Sequence, residues 1–410
     1  MSFIADLHTH SHLSRATSKQ CTLEGFCRWA QLKGVRLVGT GDFTHPMWLS
    51  EMKQKLRPAA NGLYEYNGIT FMLTGEVSNI FQVRGRGRRV HILIFAPSIE
   101  VVERINDRLS TYGKLRSDGR PMLGLAAEDL VDIILGISSE CVLIPAHAWT
   151  PWYSVFGSNS GFDSLEECFG KYTKYIFAIE TGLSSDPAMN WRLSALDRVA
   201  LVSNSDAHSC SRLGREANVF DTELNYPAIV DAIRSKDPQK FLYTIEFFPE
   251  EGKYHYDGHR NCNQRFSPKE TMRLKNICPS CGRLLTRGVM YRVEQLADRP
   301  EGTLLPNTIP YRNLVPLREI LGAVLGRDAD TAGVEKMYKN LVGQFGSEFA
   351  LLLDAEEETM QRTGLSPRVI EAILRVRKGQ LHILPGYDGE FGTITIFPKD
   401  EATHEQLELF

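Results

Sequence analysis

Short apolar runs rich in β-branched residues recur through the first 246 residues, separated by stretches in which apolar positions return every three or four residues. The first pattern predicts buried strands and the second amphipathic helices. Strands are predicted at 3–7, 36–40, 69–73, 90–95, 142–145, 175–179, 199–202 and 241–245, and helices at 22–33, 98–109, 126–135 and 226–234. Such alternation belongs to a parallel α/β architecture. Seven or eight strands suit closure into a barrel, with a doubly wound open sheet as the alternative.

From about 249 to 301 the pattern breaks into a polar, strand-poor stretch rich in Cys, His, Gly and Arg. It is too short to be held by apolar burial alone, which is the situation of a metal-stapled module. After Pro300 and the linker around Pro306 and Pro310, helical periodicity resumes at 314–325, 331–345, 348–355 and 366–378. The last of these has Ser366 as N-cap, Pro367 at the first helical position and Gly379 at its end. A tail from Leu381 to Pro398, with glycines at 386 and 389, is expected to form a hairpin. Three domains follow: a catalytic α/β barrel over 1–247, a zinc-binding module over 248–301, and a helical domain with a short tail over 302–410.

The formal net charge of −3 means that bulk charge does not announce a polyanion; such a partner would be held by local basic patches or metal ions. No basic-then-apolar leader and no apolar stretch of about 18 residues are present, so the expected setting is the cytoplasm, away from membranes. Of the 8 cysteines, those at 21, 27, 141, 168 and 210 lie scattered among apolar segments, whereas Cys262, Cys278 and Cys281 cluster. The scattered group reads as reduced packing residues, the cluster as metal ligands.

Metal-capable side chains recur where the predicted strands end. His8 and His10 are two residues apart on one strand, so both imidazoles leave the same face. Asp42 and His45 lie in Gly39-Thr-Gly-Asp-Phe-Thr-His, Glu76 follows Phe71-Met-Leu-Thr-Gly, His147 follows Val142-Leu-Ile-Pro-Ala, and Asp206 and His208 follow Leu201-Val-Ser-Asn-Ser. A parallel barrel brings strand exits to one end, where residues distant in sequence converge. His91 sits near the start of its run and needs a different geometry. Imidazole nitrogen with carboxylate oxygen and no thiolate suits Zn, Mn or Fe, with Mg disfavoured by the imidazoles. Glu76, between two histidine groups in chain order, is the natural bridge between two ions. Two ions a few ångströms apart favour hydrolysis, because one lowers the pKa of bound water and both steady phosphoryl oxygens. Phosphoester hydrolysis is therefore the leading reaction class.

The set His8-x-His10, Gly41-Asp42, Glu76, His91, His147 and Asp206-x-His208 resembles that of the PHP (polymerase and histidinol phosphatase) family of metal-dependent phosphoesterases. The resemblance implies a distorted (β/α)7-type barrel with two or three divalent metals, Zn, Mn or Mg. Carried over by position, His8, His10, Glu76 and Asp206 would hold one ion, Glu76, His91 and His147 a second, and His208 with Asp42 or His45 a third. The chain departs from the family pattern at the third position: Arg15 stands where an Asp or His is common, and Asp42-Phe43 replaces Asp-His. Arg15 then reads either as a phosphate clamp or as a surface ion pair. Asp206 and Glu76 are the expected catalytic carboxylates, with His208 or Asp42 as proton relay if the third position holds no ion.

His259-x2-Cys262 followed by Cys278-Pro-Ser-Cys281-Gly has the two-knuckle spacing of a structural zinc site, in which His255 or Asp257 could displace His259. Positive charge gathers in Arg84-Gly-Arg86-Gly-Arg88-Arg89, directly ahead of His91, with Lys114, Arg116 and Arg120 following more diffusely. The glycines let backbone approach a phosphate chain and the arginines neutralise it, unless the segment is simply a solvated loop. Aromatics crowd the His147 exit in Trp149-Thr-Pro-Trp152-Tyr-Ser-Val-Phe156, available to stack a base drawn from a duplex or to pack the rim.

A narrower resemblance, to endonuclease Q within that family, rests on Tyr254-His-Tyr-Asp-Gly-His-Arg260, the Cys-Pro-Ser-Cys-Gly knuckle and Arg292-Val-Glu-Gln-Leu-Ala-Asp-Arg-Pro300. Ser14-Arg-Ala-Thr-Ser18, the Gly39 to Pro46 segment and Glu180-Thr-Gly-Leu183 add to it, over most of residues 1–300. It implies a DNA repair nuclease that nicks on the 5′ side of deaminated bases (hypoxanthine, uracil, xanthine) and abasic sites, with damaged DNA as partner. A small-molecule phosphatase of the histidinol-phosphate type would leave the zinc module, the arginine-glycine run and the helical domain without a role. A non-enzymatic DNA-binding scaffold would be indicated by an incomplete ligand set, and the first two sets look complete.

Overall fold

The computed structural model describes residues 2–398, and a mixed sheet carries the candidate ligands. Phe3–Asp6 lies between Leu37–Gly39, which runs parallel to it, and Ala217–Phe220, which runs antiparallel. Leu37–Gly39 continues in parallel to the long strand Ile69–Val83, which pairs antiparallel with Arg86–Ala96. Val142–Pro145 runs antiparallel to Arg86–Ala96, and Ala178–Glu180 pairs in parallel with Ala200–Val202. At the other end, Phe241–Glu246 pairs antiparallel with Ala217–Phe220 and parallel with Tyr311–Asn313.

The expectation of an all-parallel sheet is thus corrected, and the reason is local. Asn67-Gly68 and Arg84-Gly85 are two-residue loops with φ of 48°, 78° and 50°, 77°. Two consecutive left-handed residues make the tight turn whose twist matches a hairpin, so the chain reverses where a parallel sheet would need a long crossover. Asn-Gly between apolar runs is a hairpin signal legible in the sequence. The strand predicted at 69–73 runs on to Val83 because Glu76, Ser78 and Asn79, all buried, interrupt its apolar pattern without ending it. Ala217–Phe220 escapes prediction because Asn218 breaks a four-residue run; its side chain is satisfied by the backbone of Ser203.

The helices follow their caps. Leu23–Lys33 starts at Thr22 and stops at Gly34, Ile99–Leu109 starts at Ser98, and Tyr226–Ser235 starts at Asn225. Pro46–Lys55 is a helix absent from the prediction, with Pro46 in its first turn; the helix expected at 348–355 is a π-helical turn, Ala350–Asp354. One apolar cluster draws Phe3, Ala5, Leu37, Met72, Phe95, Ile144 and Phe241 from the large sheet and Ala178 and Val202 from the separate two-stranded sheet, and a larger one lies beneath the helices.

Residues Asp257–His259 and Gln264–Phe266 form a small hairpin, followed by Pro268–Arg273 with a Ser267/Glu270 capping box. The helices Leu317–Leu325 and Ala332–Phe345 come together around Glu348, which accepts from the Leu317 N–H and the Tyr338 hydroxyl and pairs with buried Lys33 at 2.8 Å. The tail forms the hairpin His382–Leu384 with Thr393–Thr395. Its turn lies on the module: Gly386 N–H donates to the Glu250 carbonyl, Tyr256 N–H to the Gly386 carbonyl, and Gly392 N–H to the Glu251 carbonyl. Among the described residues no helix is long and apolar enough to cross a membrane.

Candidate metal centre

His8 and His10 leave the end of Phe3–Asp6, where a parallel bridge between Thr9 and Ala207 draws the 204–208 segment alongside. That bridge sets Asp206 beside both histidines. Glu76 sits within Ile69–Val83 opposite Leu93, and His91 sits opposite Ser78, making Glu76 and His91 diagonal neighbours on one face. The reversed direction of Arg86–Ala96 resolves the geometry of His91: the start of an antiparallel strand lies at the end where its parallel neighbours finish. His147 follows Val142–Pro145, again at that end. Asp42, His147 and Asp206 have φ of 48°, 31° and 47°, left-handed conformations that side chains with a Cβ rarely adopt. Backbone strain of this kind collects at functional positions.

Glu76 divides its two oxygens between two sets of ligands. Oε2 lies 3.5 Å from His8 Nε2 and 3.2 Å from His10 Nε2, and Asp206 Oδ1 is 3.6 Å and 3.0 Å from the same atoms. Oε1 lies 2.8 Å from His91 Nδ1 and 3.1 Å from His147 Nε2. His8, His10, Glu76 and Asp206 form one group of convergent ligand atoms, and Glu76, His91 and His147 a second.

The far sides of the rings are held by carboxylates. His8 Nδ1 is 3.1 Å and 2.9 Å from the two oxygens of Glu180, whose Oε2 also accepts the His147 N–H at 3.0 Å. His10 Nδ1 is 2.9 Å from Asp42 Oδ1, while Asp42 Oδ2 accepts from Ser11 N–H, Ser11 Oγ and Ser14 Oγ. A proton on Nδ1 shared with a carboxylate leaves the Nε2 lone pair facing inward, which is the arrangement that metal-ligating histidines use. His8 Nε2, His10 Nε2 and Asp206 Oδ1 are buried without a hydrogen-bond partner among the described residues. Buried polar atoms are rarely left so, and a divalent cation satisfies all three at once. The donor set therefore fits the metals that the sequence implied.

The electrostatics match. Burial would drive the Glu76 carboxyl up, but His91, Arg120 and His8 hold it well below the usual range. Burial likewise opposes protonation of His8 and His10, yet the surrounding carboxylates raise both, so the ion-free centre attracts protons that a divalent ion would displace. Burial pushes His91 down to about 4, leaving that ring neutral and ready to ligate.

Other expected residues fall outside the two groups. Asp42 places its oxygens on His10, Ser11 and Ser14 and stands outside both groups of ligand atoms. His45 Nε2 is 3.2 Å from the Arg116 carbonyl, and the His208 ring lies 4.6 Å from that of His10, with Nδ1 on the Asp206 carbonyl. Among the described residues, no third group gathers His208 with Asp42 or His45. Arg15 is 75% exposed with Nε 3.4 Å from Asp118, so its surface-pair reading describes what is there. Arg84 and Arg86 are exposed at the hairpin tip, whereas Arg88 donates to the Gly161 carbonyl and lies over Phe162, which removes it from any free basic surface. Trp149 is buried, donates to Asn190 and packs on Phe156, leaving no open face for a base; Trp152 is 46% exposed beside Tyr254.

His259, Cys262, Cys278 and Cys281 converge in a third group of ligand atoms. Against burial, the N–H groups of Ser280 and Cys281 with the neighbouring Cys281 and His259 side chains bring the Cys278 thiol down to about 6, favouring thiolate. Asp257 instead accepts from Gly288 N–H, and His255 lies buried outside the group.

Two residues of the centre had no assigned role in the sequence reading. Glu180 stands in the Glu-Thr-Gly-Leu motif but carries no spacing signature of a ring-orienting carboxylate. Arg120, read as part of a diffuse basic stretch, places Nη1 3.1 Å from Glu76 Oε2.

Comparison with known proteins is consistent with this architecture. A family model described as the MJ0043 C-terminal domain matches residues 316–380. The uncharacterised protein MJ0043 of Methanocaldococcus jannaschii is 31% identical over 280 residues, covering 64% of this chain; the chain spans about a third (33%) of that protein's length. The crystal structure of the lesion-specific endonuclease PfuEndoQ from Pyrococcus furiosus superposes with a TM-score of 0.88 at 33% identity, over 100% of this chain and 98% of the other. A structure of endonuclease Q with a 27-mer duplex bearing an abasic lesion at the active site superposes with a TM-score of 0.86 at 33% identity, over the whole of both chains.

Proposed function

Since this chain belongs to the endonuclease Q family, we propose that it is a DNA repair endonuclease that hydrolyses the phosphodiester bond 5′ to deaminated bases (hypoxanthine, uracil, xanthine) and to abasic sites. The observation that carries the reading is the division of Glu76 between two ligand groups, one oxygen to each, in a centre where His8 Nε2, His10 Nε2 and Asp206 Oδ1 are buried without hydrogen-bond partners among the described residues. His8, His10, Glu76 and Asp206 would hold one divalent ion, Glu76, His91 and His147 another, and His259, Cys262, Cys278 and Cys281 a structural zinc. Paired divalent ions, when bound, lower the pKa of water and neutralise phosphoryl oxygens.

The chain's own residues supply the rest. Glu180 and Asp42 hold the His8 and His10 rings in the orientation a ligand needs, and Asp206, with its side chain 25% exposed, marks the open side of the centre. Of the two candidate relays, Asp42 is buried and committed, while His208 stands partly exposed beside Asp206, where a proton can be held and passed to solvent. The Ile69–Val83 strand continues about seven residues past Glu76, so the Arg84-Gly85 tip projects roughly 23 Å beyond the centre and carries exposed Arg84 and Arg86 toward a phosphate backbone, with exposed Arg89, opposite Ile80 and over the Tyr153 ring, nearer the centre. Trp152 offers the open aromatic face beside Tyr254 of the zinc module for an extruded nucleotide. All 8 cysteines are unpaired, in keeping with a reducing cytoplasmic setting.

Labelled duplexes containing hypoxanthine, uracil, xanthine, an abasic site or no lesion, incubated with the protein and Mg, Mn or Zn, test the proposal. Nicks 5′ to the lesions with none in undamaged DNA are expected. Turnover of a phosphomonoester with no nick at any lesion would overturn it.

A further inference from the structure

The segment Asp118-Gly-Arg-Pro121 lies across the metal centre and is fixed on both flanks. Gly119 N–H donates to the Leu13 carbonyl, Thr44 Oγ1 donates to the Gly119 carbonyl, and Ser78 N–H donates to the Pro121 carbonyl. Asp118 Oδ1 accepts from the N–H groups of Arg15 and Arg120. A Cβ at Gly119 would stand 2.2 Å from Ser14 Oγ and 2.3 Å from Asp42 Oδ2, so only glycine lets the backbone come this close to the carboxylate that holds His10. The approach fixes where the next residue points. Arg120 runs from this segment to Glu76, with Nη1 3.1 Å from Oε2; its side chain is 26% exposed while that of Glu76 is fully buried. The guanidinium therefore spans the distance from the buried bridging carboxylate to the open mouth.

An incoming phosphodiester brings negative charge against Glu76 and Asp206, whose oxygens face the ligand groups. Arg120 donates to the Glu76 carboxylate, which would be shared by both ions, and its five N–H donors exceed what Glu76 uses. Arg15, the neighbouring candidate, is turned onto Asp118 and exposed. During hydrolysis the water oxygen bonds to phosphorus, one ester P–O bond breaks, and the leaving oxygen ends as a hydroxyl while charge grows on the non-bridging oxygens. A planar guanidinium beside the ions is suited to that charge.

We infer that Arg120 is a catalytic residue that donates to a non-bridging oxygen of the scissile phosphate, an assignment that rests on the nuclease reading above. The test uses metal-loaded wild type, Arg120→Ala and Arg120→Lys, with metal content measured for each. The substrates are abasic-site duplexes whose scissile linkage is either a normal phosphate or a neutral methylphosphonate. Expected are unchanged metal content, a fall in kcat of about 10²- to 10³-fold for Arg120→Ala, and partial rescue by lysine. Affinity for the normal duplex should fall about 10- to 100-fold, with no fall for the methylphosphonate duplex, because the partner charge is already gone. Loss of metal by Arg120→Ala, or equal weakening on both duplexes, would reduce Arg120 to a prop for Glu76 and overturn the assignment. Undiminished nicking would overturn it while leaving the nuclease reading intact; a wild type that nicks no lesion removes both.

Discussion

Glu180 serves two of the proposed ligands with one carboxylate, through the ring of His8 and the backbone of His147. Glu180→Gln would offer an amide where a proton acceptor is needed, so metal affinity should fall about 10- to 100-fold with the fold preserved. Competition with a fluorescent chelator measures this, and wild-type affinity would show the carboxylate to be dispensable. Glu76→Gln and Asp206→Asn act inside the centre and should abolish nicking while circular dichroism stays unchanged; wild-type rates from both would exclude the proposed site. Behind the centre, burial first, with Asp186 adding to it, raises the Glu246 carboxyl to about 8 despite hydrogen bonds from Thr244 and Thr181. The folded state then holds this proton more tightly than the unfolded chain, whose carboxyl titrates near 4.3. Its contribution to stability is complete below about pH 4.3 and is lost as pH rises toward 8. Melting temperatures across that window should therefore decline less steeply in Glu246→Gln than in wild type; parallel curves would mean the carboxyl titrates normally. Ligands that close a strand are legible because an imidazole or carboxylate after an apolar run stands out. Glu180 and Arg120 are not, since what each touches is settled by chain segments far away in sequence.

The hairpin Ile69–Val83 with Arg86–Ala96 does two jobs at once. Its middle supplies Glu76 and His91, and its far end carries charge away from them. Replacing Arg84, Arg86 and Arg89 together by alanine should weaken duplex binding with or without a lesion and flatten the dependence of log K on log salt by up to about 2 to 3 units, since each phosphate contact contributes close to 0.9. An unchanged salt slope in a fluorescence anisotropy titration would remove the tip from the DNA interface. Asn67-Gly68, which turns Leu63–Tyr66 back into Ile69–Val83, is the legible hairpin signal of this region, whereas the turn of the longer hairpin, Arg84-Gly85, hides in a charged run. The strand itself was only half legible: of the buried polar residues that break its apolar pattern, Glu76 joins both ligand groups, while Asn79 donates to the Leu125 carbonyl.

At the scale of the molecule, the zinc knuckle and the alternation of strands and helices are both visible in the sequence. The contacts that tie the module to the rest are not, because they join it to residues 156–198 on one side, through Arg292 with Asp163 and Arg299 with Asp197, and to residues near 390 on the other. Cys278→Ser should lower zinc content and melting temperature together, since metal affinity in such a module is folding free energy; a variant short of zinc that melts like wild type would show that the metal does not hold the module. The tail has a consequence in time. Backbone groups of Glu250, Glu251 and Tyr256, with Arg260 N–H on the Asp388 carboxylate, find their partners in residues 386–392. During synthesis, then, the ligand-bearing half emerges first but its neighbour stays without those partners until residues 386–392 have left the ribosome. A message cut short before codon 386 would yield a protein with its ligand cluster in place and its cysteine module held only from the side of residues 156–198, through contacts such as Arg292 with Asp163 and Arg299 with Asp197.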